Sequence, residues 1–155
     1  MITEEIITLL KRESGFFNSP YHGFKHWQAV ERNGLYLAQF TGADPKIVST
    51  FAYFHDCMRE NETKDPEHGP RGAAFAKEHS EILELTDSQL KILYKACRGH
   101  THGRKAECPT IATCWDADRL DIGRIFFMTP NSKFMFSDEA KRIADEDDFG
   151  VLGDE

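Results

Sequence analysis

Apolar residues recur at three- and four-residue spacings along nearly the whole chain, and short polar runs containing Gly, Pro, Asn or Ser separate these stretches. This pattern limits the chain more than any other feature. A spacing of 3.6 builds one apolar face on a helix, whereas a half-buried strand needs strict alternation. No segment alternates cleanly, so the fold is expected to be all-α. Thr3 is placed to cap a first helix over about residues 4–12, and Gly15 with Asn18-Ser19-Pro20 breaks the chain after it. A second helix runs from about Phe24 to Phe40 and ends at Thr41-Gly42. Asp44-Pro45 then restarts a helix in the order of cap followed by first-turn proline. Asn61 to Pro70 reads as a loop, and a short helix is expected from Gly72 to about His79. Thr86-Asp87 opens another helix that stops near Gly99. Pro109 opens one more, running through Trp115 and Asp118 to Ile122.

The chain has 155 residues, 40% of them hydrophobic and 12 of them Phe. That length suits one domain burying roughly 68–70% of the surface its unfolded chain exposes. The expected organisation is a single domain over 1–155. Its core covers about 20–125, and a C-terminal segment over 126–155 packs back through Phe126, Phe127, Met128, Phe134 and Phe136. Asp138 to Arg142 is expected to form a last helix. The acidic run Asp145 to Asp148 and the residues beyond it are expected to fray. A net charge of -7 argues against a general grip on nucleic acid. No apolar run approaches the ~18 residues that span a membrane, and Met1-Ile-Thr-Glu-Glu is acidic where a signal peptide is basic. Cys57, Cys97, Cys108 and Cys114 form no C-x-x-C pair and read as reduced structural thiols. The expectation is a cytoplasmic protein with no membrane partner.

Three of the helical stripes carry a residue that an apolar face does not favour. Ile111, Trp115, Asp118 and Ile122 stand at i, i+4, i+7 and i+11, so Asp118 shares an apolar face. Asp116 points elsewhere and Asp121 lies at the stripe's edge. His26 falls on a stripe with Val30 and Leu37, and His55-Asp56 follows the apolar run Phe51 to Phe54. A carboxylate among apolar side chains is costly unless it is paired or bound to metal. Any one of these has a plain explanation, such as an internal ion pair or a hydrogen-bonded core histidine. Together, two imidazoles and two carboxylates make a mixed N/O donor set suited to a divalent metal.

His26, then His55-Asp56, then Asp118 reproduce the H…HD…D signature of the HD-domain superfamily of metal-dependent phosphohydrolases. The phrases Tyr21-His-Gly-Phe-Lys-His-Trp27 and Cys114-Trp-Asp-Ala-Asp-Arg-Leu-Asp121 support the resemblance. It covers roughly residues 20–125. It implies a helical bundle, one or two bound divalent ions (Mn, Fe, Co, Ni, Zn or Mg) and hydrolysis of a small phosphate ester, nucleotides included. Binuclear HD proteins hold a second ion with histidines that follow the HD pair. By that similarity Asp56 bridges, and His68 and His100, each expected in a loop, hold the second ion. His102 is the weaker alternative.

Arg71, beside Gly69-Pro70 and Gly72, is the candidate phosphate clamp, ahead of Lys25, Arg98, Arg104 and Arg119. Arg119 has the simpler option of pairing with Asp116 or Asp121. His22 is a candidate substrate contact at the mouth of the site, and His79 reads as solvated. Several nucleotide-cleaving family members carry a glutamate three residues after the HD aspartate. Here that position is Arg59, with Glu60 next as the substitute catalytic candidate. The resemblance leaves two rivals: a non-catalytic sensor or scaffold, and a di-iron oxygenase.

Overall fold

A computed structural model describes residues 2–123 and 128–153. Among the described residues there is no strand. The helices of nine or more residues are α1 (Glu4–Glu13), α2 (Phe24–Thr41), α3 (Pro45–Phe54), α4 (His68–Glu78), α5 (Asp87–Gly99), α6 (Pro109–Leu120) and α7 (Asp138–Glu146). Short 3-10 turns stand at Ser80–Ile82, Ser132–Phe134 and Phe149–Leu152.

The helix ends follow local chemistry. The Thr3 hydroxyl accepts the Ile6 N–H, and the Asp44 carboxylate accepts that of Lys46 ahead of Pro45. Thr86 and Gln89 form a reciprocal capping box on α5. Gly42 ends α2 with φ 74°, a left-handed conformation that glycine adopts without a Cβ penalty.

α3 is the central element. Every residue from Ile47 to Phe54 is buried, which a helix tolerates only when other helices surround it. Its buried hydroxyls are satisfied, Ser49 and Tyr53 by the Glu31 carboxylate and Thr50 by the Lys46 carbonyl. α2, α4, α5 and α6 all pack on α3. Trp27, Phe51 and Phe54 are the largest side chains wholly withdrawn from solvent there. A second, smaller cluster of Leu37, Leu120, Met135, Ala140, Ile143 and Ala144 seats α7 on α2 and α6. The C-terminal segment thus packs back on the body. Phe126 and Phe127, two of the aromatics expected to do this, lie outside the described residues.

Two expectations need correction. His68 is not in a loop: α4 begins at His68, four residues before Gly72. The acidic run after Arg142 is also more ordered than its charge suggests. α7 continues to Glu146, and Arg142 reaches Glu139 at 2.7 Å, Glu146 at 2.7 Å and Asp148 at 2.9 Å. One guanidinium set among three carboxylates offsets the repulsion that would fray the turn. Asp154 and Glu155 lie outside the described residues.

Among the described residues, no helix is long and apolar enough to cross a membrane.

Candidate metal centre

Four imidazoles converge at one end of α3, and each is held by its Nδ1. His55 caps α3 and its Nδ1 donates to the carbonyls of Ala52 (2.9 Å) and Phe51 (3.1 Å), with its ring stacked on Phe51. His26, in the first turn of α2, donates from Nδ1 to the Asp121 carboxylate at 2.7 Å. His68, the first residue of α4, uses Nδ1 on the Asp65 carbonyl, and His100, capping α5, uses Nδ1 on that of Cys97. These bonds fix the tautomer. With the proton on Nδ1, every Nε2 presents a lone pair to the interior.

Those lone pairs meet. His26 Nε2 and His55 Nε2 are 3.1 Å apart, and His68 Nε2 and His100 Nε2 are 2.9 Å apart. Two facing lone pairs repel unless a cation lies between them. Asp118 Oδ1 stands 3.1 Å from His26 Nε2 and 3.2 Å from His55 Nε2. Asp56 Oδ2 stands 3.3 Å and 3.5 Å from the same two atoms. Ligands bound at ~2.0–2.2 Å lie about 3.0 Å apart when at right angles and about 3.4 Å apart at tetrahedral angles. The separations match that range, so His26, His55 and Asp118 form one group that could hold a metal ion, with Asp56 Oδ2 beside it, and His55, Asp56 and His100 form a second, overlapping group.

Asp56 has a second oxygen with its own neighbours. Oδ1 is buried without a hydrogen-bond partner, 3.0 Å from His68 Nε2 and 3.5 Å from His100 Nε2. An ionised oxygen left in that state is costly unless a cation completes it.

In the metal-free site protons take the place of a cation between these groups. Burial opposes ionisation of Asp56 and Asp118, but His55 and the neighbouring imidazoles outweigh it and hold both carboxylates well below the ordinary range. Burial likewise opposes charge on His26 and His55. For His26 the Asp118, Asp121 and Asp56 carboxylates prevail, and for His55 those of Asp56 and Asp118, so both pKa values rise. The His100 pKa is lowered by burial and by the nearby His55. Two firmly ionised carboxylates in a buried pocket make a site receptive to cations.

A cleft of about 220 Å³ opens onto this group, lined by His22, Arg59, Thr101, Arg119 and Ile122 beside the ligand candidates. Asp118 is the most exposed of the six, at 20%. A larger cavity of about 770 Å³ lies beyond Asp121, between α2 and the C-terminal turn, and contains none of the six.

The other candidates are placed unevenly. His22 lies inside the cleft, with Nδ1 3.4 Å from Asp56 Oδ2 and Nε2 3.2 Å from the Glu62 carbonyl. The Trp27 indole N–H donates to the His22 carbonyl and pins that turn. Arg71 is elsewhere. Its guanidinium is spent on Asp65, at 2.6 Å to both oxygens, and on the Met58 carbonyl. It ties down the loop before α4 and lines no part of the cleft. Glu60 is 73% exposed and also outside it. His102 is exposed, and His79 is half-buried against Phe75. Arg119 does not pair with Asp116. It donates to the carbonyls of His100, Gly103 and Phe134, and Asp116 instead accepts the N–H groups of Phe136 and Ser137.

Sequence reasoning missed Asp121, Arg59 and Thr101. Asp121 follows Asp118 by three residues, one helical turn, which is a usable signal for a carboxylate that orients a ligand histidine. Asp121→Asn should keep the fold and weaken metal binding by roughly 10- to 100-fold, because the amide supports the imidazole less strongly. Titration of the metal-free protein with Mn²⁺ measures this; equal affinity in the two proteins would remove Asp121 from the site.

No family model matches the chain, and no curated protein matches it by sequence. A solved structure does. The chain resembles the crystal structure of a "predicted HD superfamily hydrolase" from an uncultured Thermotogales bacterium, with a TM-score of 0.73 and 24% identity. The match covers 96% of this chain and 86% of that one. The chain therefore has the fold of that structure, and the buried His/Asp group stands where α2, α3, α4, α5 and α6 meet.

Proposed function

We propose that this chain is an HD-type phosphohydrolase that uses two divalent ions to cleave the ester bond of a small phosphorylated molecule. The observation that carries this reading is the Asp56 carboxylate. Its Oδ2 faces His26 and His55, and its otherwise unpartnered Oδ1 faces His68 and His100. A carboxylate with a separate imidazole pair at each oxygen is built to bridge two cations. In this reading His26, His55, Asp56 Oδ2 and Asp118 hold one ion, and Asp56 Oδ1, His68 and His100 hold the other. The N/O donor set suits Mn²⁺, Fe²⁺, Co²⁺, Ni²⁺ or Zn²⁺ better than Mg²⁺.

When bound, such ions lower the pKa of a coordinated water towards ~7 and polarise a phosphoryl oxygen. The chain's residues do the rest. Asp118, the most exposed ligand, would orient the attacking water from the open side of the site. The narrow cleft admits a phosphoryl group and leaves the organic part of the substrate near its mouth, by Thr101, Arg119 and Ile122. A small phosphorylated substrate, a nucleotide among them, fits this size, and the net charge of -7 disfavours long nucleic acids. The cytoplasm, with its reduced thiols and phosphorylated metabolites, is the proposed location.

The test begins with protein stripped by chelator and reloaded separately with Mn²⁺, Co²⁺, Ni²⁺ and Mg²⁺. Elemental analysis should find two ions per chain, and p-nitrophenyl phosphate or its bis-ester should be cleaved only after reloading. Ion at 100 times its Kd should raise stability by about 2.7 kcal/mol, or roughly 5–11 °C in Tm for a chain of this size. A protein that binds the ions tightly yet cleaves no phosphate ester would contradict the hydrolase reading and favour a sensor.

A further inference from the structure

Resting on the two-ion hydrolase reading, we infer that Arg59 is the phosphate-clamping residue of this site, and that it selects phosphomonoesters over phosphodiesters. Arg59 follows Asp56 by three residues in the turn after α3, with its backbone N–H donating to the Asp56 carbonyl at 3.3 Å. Its side chain is only 10% exposed and lines the 220 Å³ cleft. One nitrogen, Nη1, is anchored on the Asn61 carbonyl at 3.1 Å. The Nε is buried and makes no hydrogen bond, and lies 3.5 Å from Asp56 Oδ1. Among the described residues Nη2 makes none either. The edge that grips an oxyanion, formed by Nε and Nη2, thus stands beside the bridging carboxylate with no hydrogen bond among the described residues and one long ion contact to Asp56.

The other arginines of this region are occupied. Arg119, also lining the cleft, gives N–H groups to three carbonyls, and Arg71 gives its own to Asp65 and Met58. A buried Nε that makes no hydrogen bond is costly to maintain. An incoming phosphoryl oxygen completes it.

The preference for monoesters follows from counting oxygens. A phosphomonoester dianion has three terminal oxygens, and a diester has two. With an ion held at each oxygen of Asp56, each ligand group would take up one terminal oxygen of the phosphoryl group. A monoester then has one oxygen left for Arg59, and a diester has none. The clamp also meets the extra negative charge that only the monoester carries.

The experiment uses the full chain loaded with Mn²⁺, with the metal content measured first. Binding of inorganic phosphate, which has the terminal oxygens of a monoester, and of dimethyl phosphate, which mimics a diester, is followed by calorimetry. Arg59→Gln should weaken phosphate binding by roughly 10- to 150-fold, the loss expected for charge-assisted hydrogen bonds. Dimethyl phosphate binding should move less than about 3-fold, and metal content should not change. Arg59→Lys should recover part of the phosphate affinity, because it restores the charge without the two-pronged edge. Unchanged phosphate affinity, an equal loss for both ligands, or loss of metal in Arg59→Gln would each overturn the inference. Wild-type protein that is metal-loaded but neither binds phosphate nor cleaves any ester would sink the hydrolase reading itself, a separate failure.

Discussion

Asp56→Ala is expected to strip the protein of nearly all bound metal and to lower turnover by more than ~10³-fold, while the helices survive. The size of the effect comes from the position of the carboxylate. Losing a group that only orients a ligand costs roughly 10- to 100-fold in metal affinity or activity. Asp56 is itself placed as a ligand at both ion positions, so two such losses compound to about 4 kcal/mol or more. The fold should tolerate the change, because no core packing depends on this side chain. Its neighbours are imidazoles whose Nδ1 atoms remain bonded to Phe51, Ala52, Cys97, Asp65 and Asp121. Circular dichroism should match wild type and elemental analysis should differ. A variant with a full metal complement and wild-type turnover would remove the bridge, and with it the two-ion arrangement.

Gly72→Ala is expected to destabilise the protein by about 3 kcal/mol, near the upper end of the usual cost of overpacking. In a chain of this length that lowers Tm by roughly 6–12 °C. A Cβ on Gly72 would stand 2.4 Å from the Phe54 carbonyl oxygen and 3.2 Å from that of His55. Both obstacles are backbone, at the end of α3 where the His55-Asp56 pair is presented. They cannot swing aside as a long side chain does, so α4 must lift. His68 sits one turn earlier on α4 and moves with it, so the ion facing Asp56 Oδ1 should be bound more weakly than its neighbour. Gly150→Ala serves as the control, because a Cβ there meets nothing within 4 Å. If Gly72→Ala melts with wild type and keeps both ions, the close crossing of α3 and α4 does not position His68.

Much of the helical layout was legible in the sequence because its determinants are local. Thr3, Asp44-Pro45, Thr86 and Gly42 each act on backbone groups within a few residues, and the structure has caps at all of them. The start of α4 was not legible. Gly69, Pro70 and Gly72 read as breakers, yet α4 runs through them. Gly69 and Gly72 serve close approach, to the Cys97 carbonyl and to that of Phe54, rather than a turn. The order in the acidic tail was hidden for a similar reason. Arg142 meets Glu139 and Glu146 along α7, but Asp148 joins only because the chain bends back after the helix.

By itself the sequence determined that this chain forms helices and that particular stripes place His26, His55-Asp56 and Asp118 on inward faces. Periodicity and capping act over one or two turns, so a linear reading captures them. Only the tertiary structure decided the work of the remaining polar residues. Asp121 turned out to hold His26 across 95 positions of sequence, Asp116 to hold the C-terminal segment, and Arg59 rather than Arg71 to face the cleft. These assignments depend on distances between helices far apart in the chain. A hydrogen bond forms or fails within a few tenths of an ångström, and only packing sets that.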